Sequence, residues 1–386
     1  MKIVHFTTDE KFINGAMSTF ELAFPGQNKL YLLKPKSNPK VKYIDSKYIT
    51  KEFIYNDKIF LDYISLSQTA DWVILHGMNQ TWAKVMLSVD TTHIINVIWG
   101  AEIYGNPFMY KKNTLGEDTR KLKSFNSKFS FKASIIYLLN TIGFKKYLTK
   151  KNVQKLIKEA YSNSKSIAML YSEELQIYRD NNVLLKPVNF LKFGYYPIEY
   201  FANQLDINSK LGNNILVGNS SSYTNNHLEI FNKLKNISIE GKKVIVPLSY
   251  GDPELKNYIV NKGHSLFKEQ FNPILDFMPL VDYNKLIQSC DVVIMNHYRQ
   301  QAVGNIISAV YIGAKVFLNP ENSAYHYLKN LGCHVFEIEK DLNTQEDLIG
   351  LTEEQIEQNR TLLKEDINQK KLIDNLIYFL TNQTIK

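Results

Sequence analysis

Residues 291–322, DVVIMNHYRQQAVGNIISAVYIGAKVFLNPEN, decide how this chain is read. Val292–Met295 is an apolar run short enough for a buried strand, Asn296–Gln301 is polar, and apolar residues return with helical spacing at Ala302, Ile306, Ile307 and Val310 before Gly313. The pattern is strand, loop, helix. Lys315–Leu318 supplies the next strand and delivers Asn319-Pro320-Glu321-Asn322 into a second loop. In a parallel βαβ unit both loops lie at the carboxyl edge of the sheet, where open α/β sheets bind their ligands. The first loop carries His297, Arg299, Gln300 and Gln301 just ahead of a helix start, whose N–H groups and positive dipole end favour phosphate. Glu321 emerges in the second loop as an acceptor for sugar hydroxyls. The stretch reads as a candidate nucleotide-diphosphate site; the competing reading is an ordinary βαβ unit with solvated loops, since no glycine-rich fingerprint is present.

The chain has 386 residues, more than one hydrophobic core usually organises, so two domains are expected. Its 44% apolar and 22% charged residues suit a globular enzyme and argue against long disorder. Two cysteines, Cys290 and Cys333, make no disulfide framework and no structural zinc motif, which fits a reducing cytoplasm. The opening MKIVHFTTDEKF has no signal-peptide core, and no apolar run approaches the roughly 20 residues of a spanning helix.

Working outward, strand-like and helix-like runs alternate. Lys2–Phe6, Leu30–Leu33, Trp72–Leu75 and Ile94–Ile98 read as buried strands, with helical spacing at Ile59–Leu66 and Trp82–Leu87. After a polar stretch at 203–214 a second series begins with Ile215–Val217, a helix from Asn226 to Leu234, Val244–Val246 and Phe271–Met278, and it closes at Val335–Ile338. Such alternation implies mostly parallel sheets. The tail from Thr352 opens with a capping-box pattern, Thr352 and Gln355, and reads as one or two amphipathic helices packed on the body.

The formal charge of +8 is localised. Residues 111–165 hold fourteen Lys or Arg against Glu117, Asp118 and Glu159, with Phe129, Phe131, Ile135, Ile136, Phe144 and Tyr147 interleaved. Three readings compete: a solvated helical pair packed on its domain, docking to an anionic membrane surface, and nucleic-acid binding. No nucleic-acid motif accompanies the charge, so the third is the weakest.

Two α/β domains and a helical tail are the layout of the GT-B glycosyltransferases. The expected organisation is an N-terminal acceptor-binding Rossmann-like domain at 1–202 with the basic insertion 111–165, a C-terminal nucleotide-sugar domain at 203–350 facing it across a cleft, and a tail at 351–386. Specific residues then carry a resemblance: His76-Gly77; Ile98-Trp99-Gly100-Ala101 with Glu102 and Tyr104; Ile215-Leu216-Val217-Gly218-Asn219-Ser220 with Asn225 and His227; Val246-Pro247 with Tyr250; Cys290-Asp291; Arg299-Gln300-Gln301 with Gly304; and Leu318-Asn319 with Glu321-Asn322. In order and spacing these resemble the 4-α-L-fucosyltransferase family of the enterobacterial common antigen type, which moves N-acetylfucosamine from its dTDP-activated form to a lipid-linked disaccharide. The chain departs from the pattern in a longer insertion between Tyr104 and Ser166, in Asn305 after Gly304 and in Ser323 after Asn322, and the first seventy residues match only around His5 and Asp9.

The resemblance implies a glycosyltransferase in surface polysaccharide synthesis, with a nucleotide-sugar donor (dTDP favoured over UDP), a polyprenyl-diphosphate-linked saccharide acceptor, an anionic inner-membrane surface as partner, no nucleic acid and no cofactor or metal. Arg299 is expected to pair with the diphosphate through its two-pronged guanidinium. Gln300, Gln301, Gly304 and Asn305 complete the cradle, with Glu321 and Asn322 on the deoxyribose side. Gly218, Asn219 and Ser220 let backbone approach phosphate, and Tyr250 borders the base. For the acceptor proton the candidates are Glu102 first, Asp9 second, and His76, which could instead orient or bind phosphate. A GT-B epimerase and a non-catalytic membrane- or glycan-binding module remain alternatives, because fold alone does not give activity.

Overall fold

The computed structural model describes residues 1–125, 141–194, 196–202 and 210–382. They form two compact units, one of Met1–Lys111, Asn140–Pro197 and Ile367–Lys386, the other of Lys112–Leu139 and Ile198–Asp366.

The first unit is a seven-stranded sheet of β1 (Ile3–Thr7), β2 (Asn28–Lys34), β3 (Ile49–Ile54), β4 (Trp72–His76), β5 (Ile94–Val97), β6 (Ser166–Met169) and β7 (Asn189–Lys192). Every strand is parallel to its neighbours, in the order β3-β2-β1-β4-β5-β6-β7. Val4, Phe6, Val73 and Leu75 face one apolar layer with Trp82, while Ile3, Trp72 and Ile74 face the other with Phe20 and Leu376. Central strands covered on both faces need near-continuous apolar runs. The edge strand β3 is exposed at Lys51 and Glu52 and therefore lacks that signature.

The second unit is a six-stranded parallel sheet of β8 (Asn214–Val217), β9 (Val244–Pro247), β10 (Phe271–Ile274), β11 (Cys290–Met295), β12 (Lys315–Leu318) and β13 (Val335–Glu337). Its order is β10-β9-β8-β11-β12-β13. In each sheet the winding reverses once, between β1 and β4 and between β8 and β11. At that point the two loops leaving the carboxyl ends diverge and open a crevice.

The stretch that opened the sequence reading folds as expected, with β11, a helix at Val303–Ile312 and β12. The domain boundaries shift. The chain from Lys112 groups with the second unit because its turn is hydrogen-bonded there: the Gly116 N–H donates to Asn226 Oδ1 (2.9 Å), and the Thr119 N–H and Oγ1 donate to Glu229 (2.9 and 2.6 Å). The later basic helix, Thr141–Ser162, groups with the first unit, where Leu156, Ile157, Ala160 and Tyr161 join the core and Lys150 and Lys155 point to solvent. The part of the basic segment at 126–140, and most of the expected linker, 203–209, lie outside the described residues.

The tail also divides. Helix Glu353–Ile367 stays on the second unit, where Arg360 donates to the carbonyls of Tyr311 and Ile312 (3.0 and 3.1 Å). Its start is the expected capping box, with Thr352 N–H to Gln355 Oε1 at 3.0 Å and the reciprocal bond at 3.3 Å. Helix Gln369–Asn382 instead completes the first unit, burying Leu376, Phe379 and Leu380 beside Trp72, whose indole donates to the Leu380 carbonyl at 3.2 Å.

Candidate functional site

At the carboxyl edge of the first sheet three expected residues behave differently. Asp9 follows β1 and accepts from the backbone N–H groups of Lys42, Tyr43 and Ile44 (2.6, 3.0 and 3.2 Å). Both its oxygens anchor that loop. Glu102 sits in the first turn of the short helix Ala101–Tyr104, and its Oε1 accepts from the Trp99 N–H and the Tyr161 hydroxyl, each at 3.0 Å. Through that oxygen it closes the turn after β5. Tyr104, part of the same motif, donates to the buried Glu174 at 2.7 Å, and Tyr178 donates to the other oxygen of that carboxyl.

His76 ends β4 and is buried. Its Nε2 lies 3.1 Å from Nδ1 of His5, in the middle of β1, and its own Nδ1 has no hydrogen-bond partner among the described residues. Burial first, then the neighbouring His5, holds its pKa well below the ordinary histidine value. Gly77 follows at φ +72, and a Cβ there would meet the Trp99 ring at 2.9 Å, so only glycine lets the chain turn under that indole.

In the second unit the loops leaving β8 and β11 share one buried polar network. Gly218 turns at φ +68. The Asn225 amide sits behind it: Oδ1 accepts from the Asn219 N–H (2.8 Å) and from His297 Nε2 (3.0 Å), and Nδ2 donates to Ser220 Oγ (3.0 Å) and the Ser222 carbonyl (3.2 Å). Because the Asn225 oxygen takes both hydrogens, His297 carries its proton on Nε2. Burial pushes the pKa of His297 and of neighbouring His227 down to about 3, so both are neutral. Asn226, in the left-handed region at φ 51, ties this loop to the one after β11 by donating to the Asn296 carbonyl (2.9 Å).

This network alters the expected roles. The Asn219 N–H is used inside the turn and the Ser221 N–H donates to the Tyr250 carbonyl (2.8 Å), so 218–221 is a packed turn and not an open anion nest. Asn322 is fully buried and caps helix Ser323–Leu331 by accepting from the Ala324 N–H (3.0 Å). Gln301 accepts from Thr224 Oγ1 (2.7 Å), and Asn305 donates to the Tyr283 hydroxyl (3.1 Å). Glu321 is exposed and paired with Lys112 at 3.0 Å. Gly304 has open room, its nearest neighbour being Phe201 at 3.7 Å from a would-be Cβ, so close backbone approach is not what the glycine provides there.

What remains suited to phosphate is the helix start itself. Ala302 precedes Val303–Ile312 in the left-handed region at φ 57 and supplies no side-chain cap. The first N–H groups of a helix then look outward with the positive dipole end. Arg299 lies three residues earlier, with one guanidinium nitrogen on the Gln300 carbonyl at 2.9 Å, and the buried Gln300 Oε1 has no partner among the described residues. On the neighbouring strands, Tyr250 after β9 is half exposed with its hydroxyl held by Asn219 Nδ2 (3.1 Å), and Phe277 after β10 is 83% exposed. Sequence reading missed Phe277 by extending β10 through Met278; the strand ends at Ile274, which leaves Phe277 and Met278 in a loop.

Residues 186–367 match the family model of the 4-alpha-L-fucosyltransferases, glycosyl transferase group 56. The whole fold is similar to HepE of Anabaena, solved with UDP and glucose, at a TM-score of 0.61 and 8% identity over 99% of each chain. It is also similar to a glycosyltransferase from Rickettsia africae (TM-score 0.62, 11% identity, 100% of this chain and 99% of that one). An α,α-trehalose-phosphate synthase from Burkholderia xenovorans, solved with glucose-6-phosphate, matches at 0.61 and 11% over 99% of this chain and 100% of its own. At these identities the likeness speaks for fold, and the fold is GT-B.

Proposed function

We propose that this chain, a nucleotide-sugar glycosyltransferase of the GT-B fold, moves an N-acetylated deoxy sugar from a dTDP-activated donor to a saccharide carried on a polyprenyl diphosphate, in surface polysaccharide synthesis at the inner face of the cytoplasmic membrane. The observation that carries the donor half is the uncapped start of helix Val303–Ile312 at the carboxyl end of β11, with Arg299 ahead of it. Such a helix end stabilises the charge that builds on the departing β-phosphate, and a guanidinium binds two of its oxygens. The reaction then needs no divalent cation, which chelation during assay tests directly. The exposed side chains of Tyr250 and Phe277, in the loops that leave the adjacent parallel strands β9 and β10, suit a planar base.

The match to the 4-alpha-L-fucosyltransferase model over 186–367 supports the deoxy-sugar part of this reading. The lysine-rich surface of helix Thr141–Ser162 supports docking to anionic lipid; no described helix is long and apolar enough to cross a membrane. Binding to anionic vesicles that persists after removal of residues 111–158 would contradict that part.

The deciding experiment is mass spectrometry of products from a panel of dTDP- and UDP-sugars with a polyprenyl-linked acceptor. Alongside it, the matching nucleotide should stabilise the wild type by RT ln(1 + [L]/Kd) and so raise its thermal midpoint, but not that of Arg299→Ala. Interconversion of donor sugars without acceptor would favour the epimerase, and protection of Arg299→Ala equal to wild type would remove the phosphate site from this loop.

A further inference from the structure

The first sheet contains a chain of three buried side chains that the donor chemistry does not use. We propose that His76 is the group that takes the proton from the acceptor hydroxyl, and that His5 is the positioning residue that leaves His76 able to do so. This rests on the transfer reaction proposed above.

The protonation pattern is fixed from one end. Asn28 opens β2 beneath helix Ile13–Ala23, and its Nδ2 donates to the carbonyls of Phe20 and Phe24 (3.1 and 2.8 Å), closing the last turn of that helix. With the amide nitrogen committed to two carbonyls, the amide oxygen is the atom that faces His5 Nε2 at 3.2 Å. An oxygen accepts, so His5 carries hydrogen on Nε2. His5 is fully buried, and burial lowers its pKa to about 4 against the opposing pull of Asn28, so the ring is neutral and its Nδ1 is a lone pair. That lone pair lies 3.1 Å from His76 Nε2, which must therefore donate. His76 is also held neutral by burial. Its Nδ1 is then a bare lone pair, and among the described residues nothing hydrogen-bonds to it. A buried acceptor left without a partner costs stability, a penalty that a bound hydroxyl would relieve.

Position agrees with this chemistry. His5 and His76 stand on β1 and β4, the central pair whose loops diverge at the crevice of this sheet, and the rings lie nearly parallel, 16° apart with centroids at 5.4 Å. Phe20 packs edge-on against His5 at 4.5 Å and keeps the ring from turning. The rival bases are occupied: Asp9 by three backbone N–H groups and Glu102 by Trp99 and Tyr161.

In the transfer step the acceptor oxygen bonds to the anomeric carbon while the bond from that carbon to the β-phosphate oxygen breaks, its electron pair leaving with the nucleotide diphosphate. The hydroxyl proton passes to His76 Nδ1. The imidazolium so formed donates from Nε2 to His5 Nδ1 in a bond that becomes charge-assisted and hence stronger. His5 passes part of that polarisation to Asn28 Oδ1. The arrangement follows the logic by which a third group orients a catalytic histidine, with a neutral amide at its end instead of a carboxylate, so it fixes the tautomer without adding a counter-charge.

The test uses the full chain with saturating nucleotide sugar and a lipid-linked acceptor. His5→Phe keeps the ring volume and the contact with Phe20 but removes the acceptor for His76 Nε2–H; His5→Asn places an amide oxygen near the former Nδ1. The expected result is a fall in kcat of about 100-fold in His5→Phe, the lower range for loss of general-base catalysis, with donor KM and nucleotide-dependent thermal protection unchanged, and recovery to within about 10-fold in His5→Asn. Nitrogen-15 NMR of labelled histidine should show both rings as neutral Nε2–H tautomers in the wild type. A wild-type kcat in His5→Phe, equal inactivity of both folded variants, or hydrogen on Nδ1 of His76 would each overturn the assignment. If no acceptor is glycosylated by the wild type, the reaction reading fails, and the tautomer spectra still decide the relay.

Discussion

Replacing Gly218 by alanine separates backbone strain from packing in the donor loop. At φ +68 an alanine costs about 1–2 kcal/mol from its Cβ alone. The Cβ would also stand 2.7 Å from both Asn225 Oδ1 and His227 Nε2, too close for either to stay. The Asn225 amide is not free to swing, because its Oδ1 holds the Asn219 N–H and His297 and its Nδ2 holds Ser220 and Ser222. Losing two of these buried bonds at about 1 kcal/mol each brings the total to about 3–4 kcal/mol. Gly241 is the internal control: its φ is +75, but the nearest atom to a Cβ is Asn213 Nδ2 at 3.9 Å, so Gly241→Ala should cost the strain alone. With about 2–4 °C of melting temperature per kcal/mol for a unit of this size, Gly218→Ala should melt roughly 10 °C below wild type and Gly241→Ala roughly 4 °C below. Thermal unfolding followed by circular dichroism, with and without dTDP-sugar, reads both stability and ligand protection. A Gly218→Ala protein no less stable than Gly241→Ala would refute the packing of the turn on Asn225 and His227.

Glu102→Gln keeps an amide oxygen for the Trp99 N–H and the Tyr161 hydroxyl, so transfer should continue within a few-fold of wild type; loss of several hundred-fold in kcat with intact folding would restore Glu102 as the base. Acid sensitivity should also be pronounced. His227 and His297 in one unit, with pKa lowered to about 3, and His5 and His76 in the other, with pKa lowered to about 4 and well below normal, bind protons in the unfolded chain before the folded one. Their contribution is complete above about pH 6.5 and falls away below it, by roughly 3 kcal/mol per pH unit for each pair. Melting temperatures measured from pH 7 to pH 5 should drop steeply, and a flat profile would contradict four buried neutral rings.

Much of the fold was legible because buried parallel strands must be apolar over their whole length. Trp72–Leu75, Val244–Val246 and Lys315–Leu318 each announce themselves that way, and the structure places β4, β9 and β12 on them within a residue. The exposed edge strand β3 and the half-exposed β7 carry no such run and were not visible. The site was legible only as loops. That Gly218 begins a turn can be read from one residue; that this turn is packed on Asn225 and His297 depends on contacts 72 residues apart. Likewise Asp9, Glu102 and Asn322 look in sequence like free functional groups at strand ends, and only coordinates show their oxygens holding backbone N–H groups. His5 stood in the least family-like part of the chain, and its pairing with His76 across 71 residues has no local signal.

The placement of helix Gln369–Asn382 has a consequence for how the protein is made. Leu376, Phe379 and Leu380 close the apolar layer under Phe20 and Trp72, yet a ribosome delivers them only after the whole of Ile198–Asp366. At about 5–20 residues per second that is a wait of roughly 10–30 s, during which one face of the first sheet has emerged without its cover. Vectorial synthesis therefore does not let the amino-terminal unit mature first. That unit stays open to chaperones, and to mispairing with other nascent chains, until its partner in the same polypeptide has already been assembled.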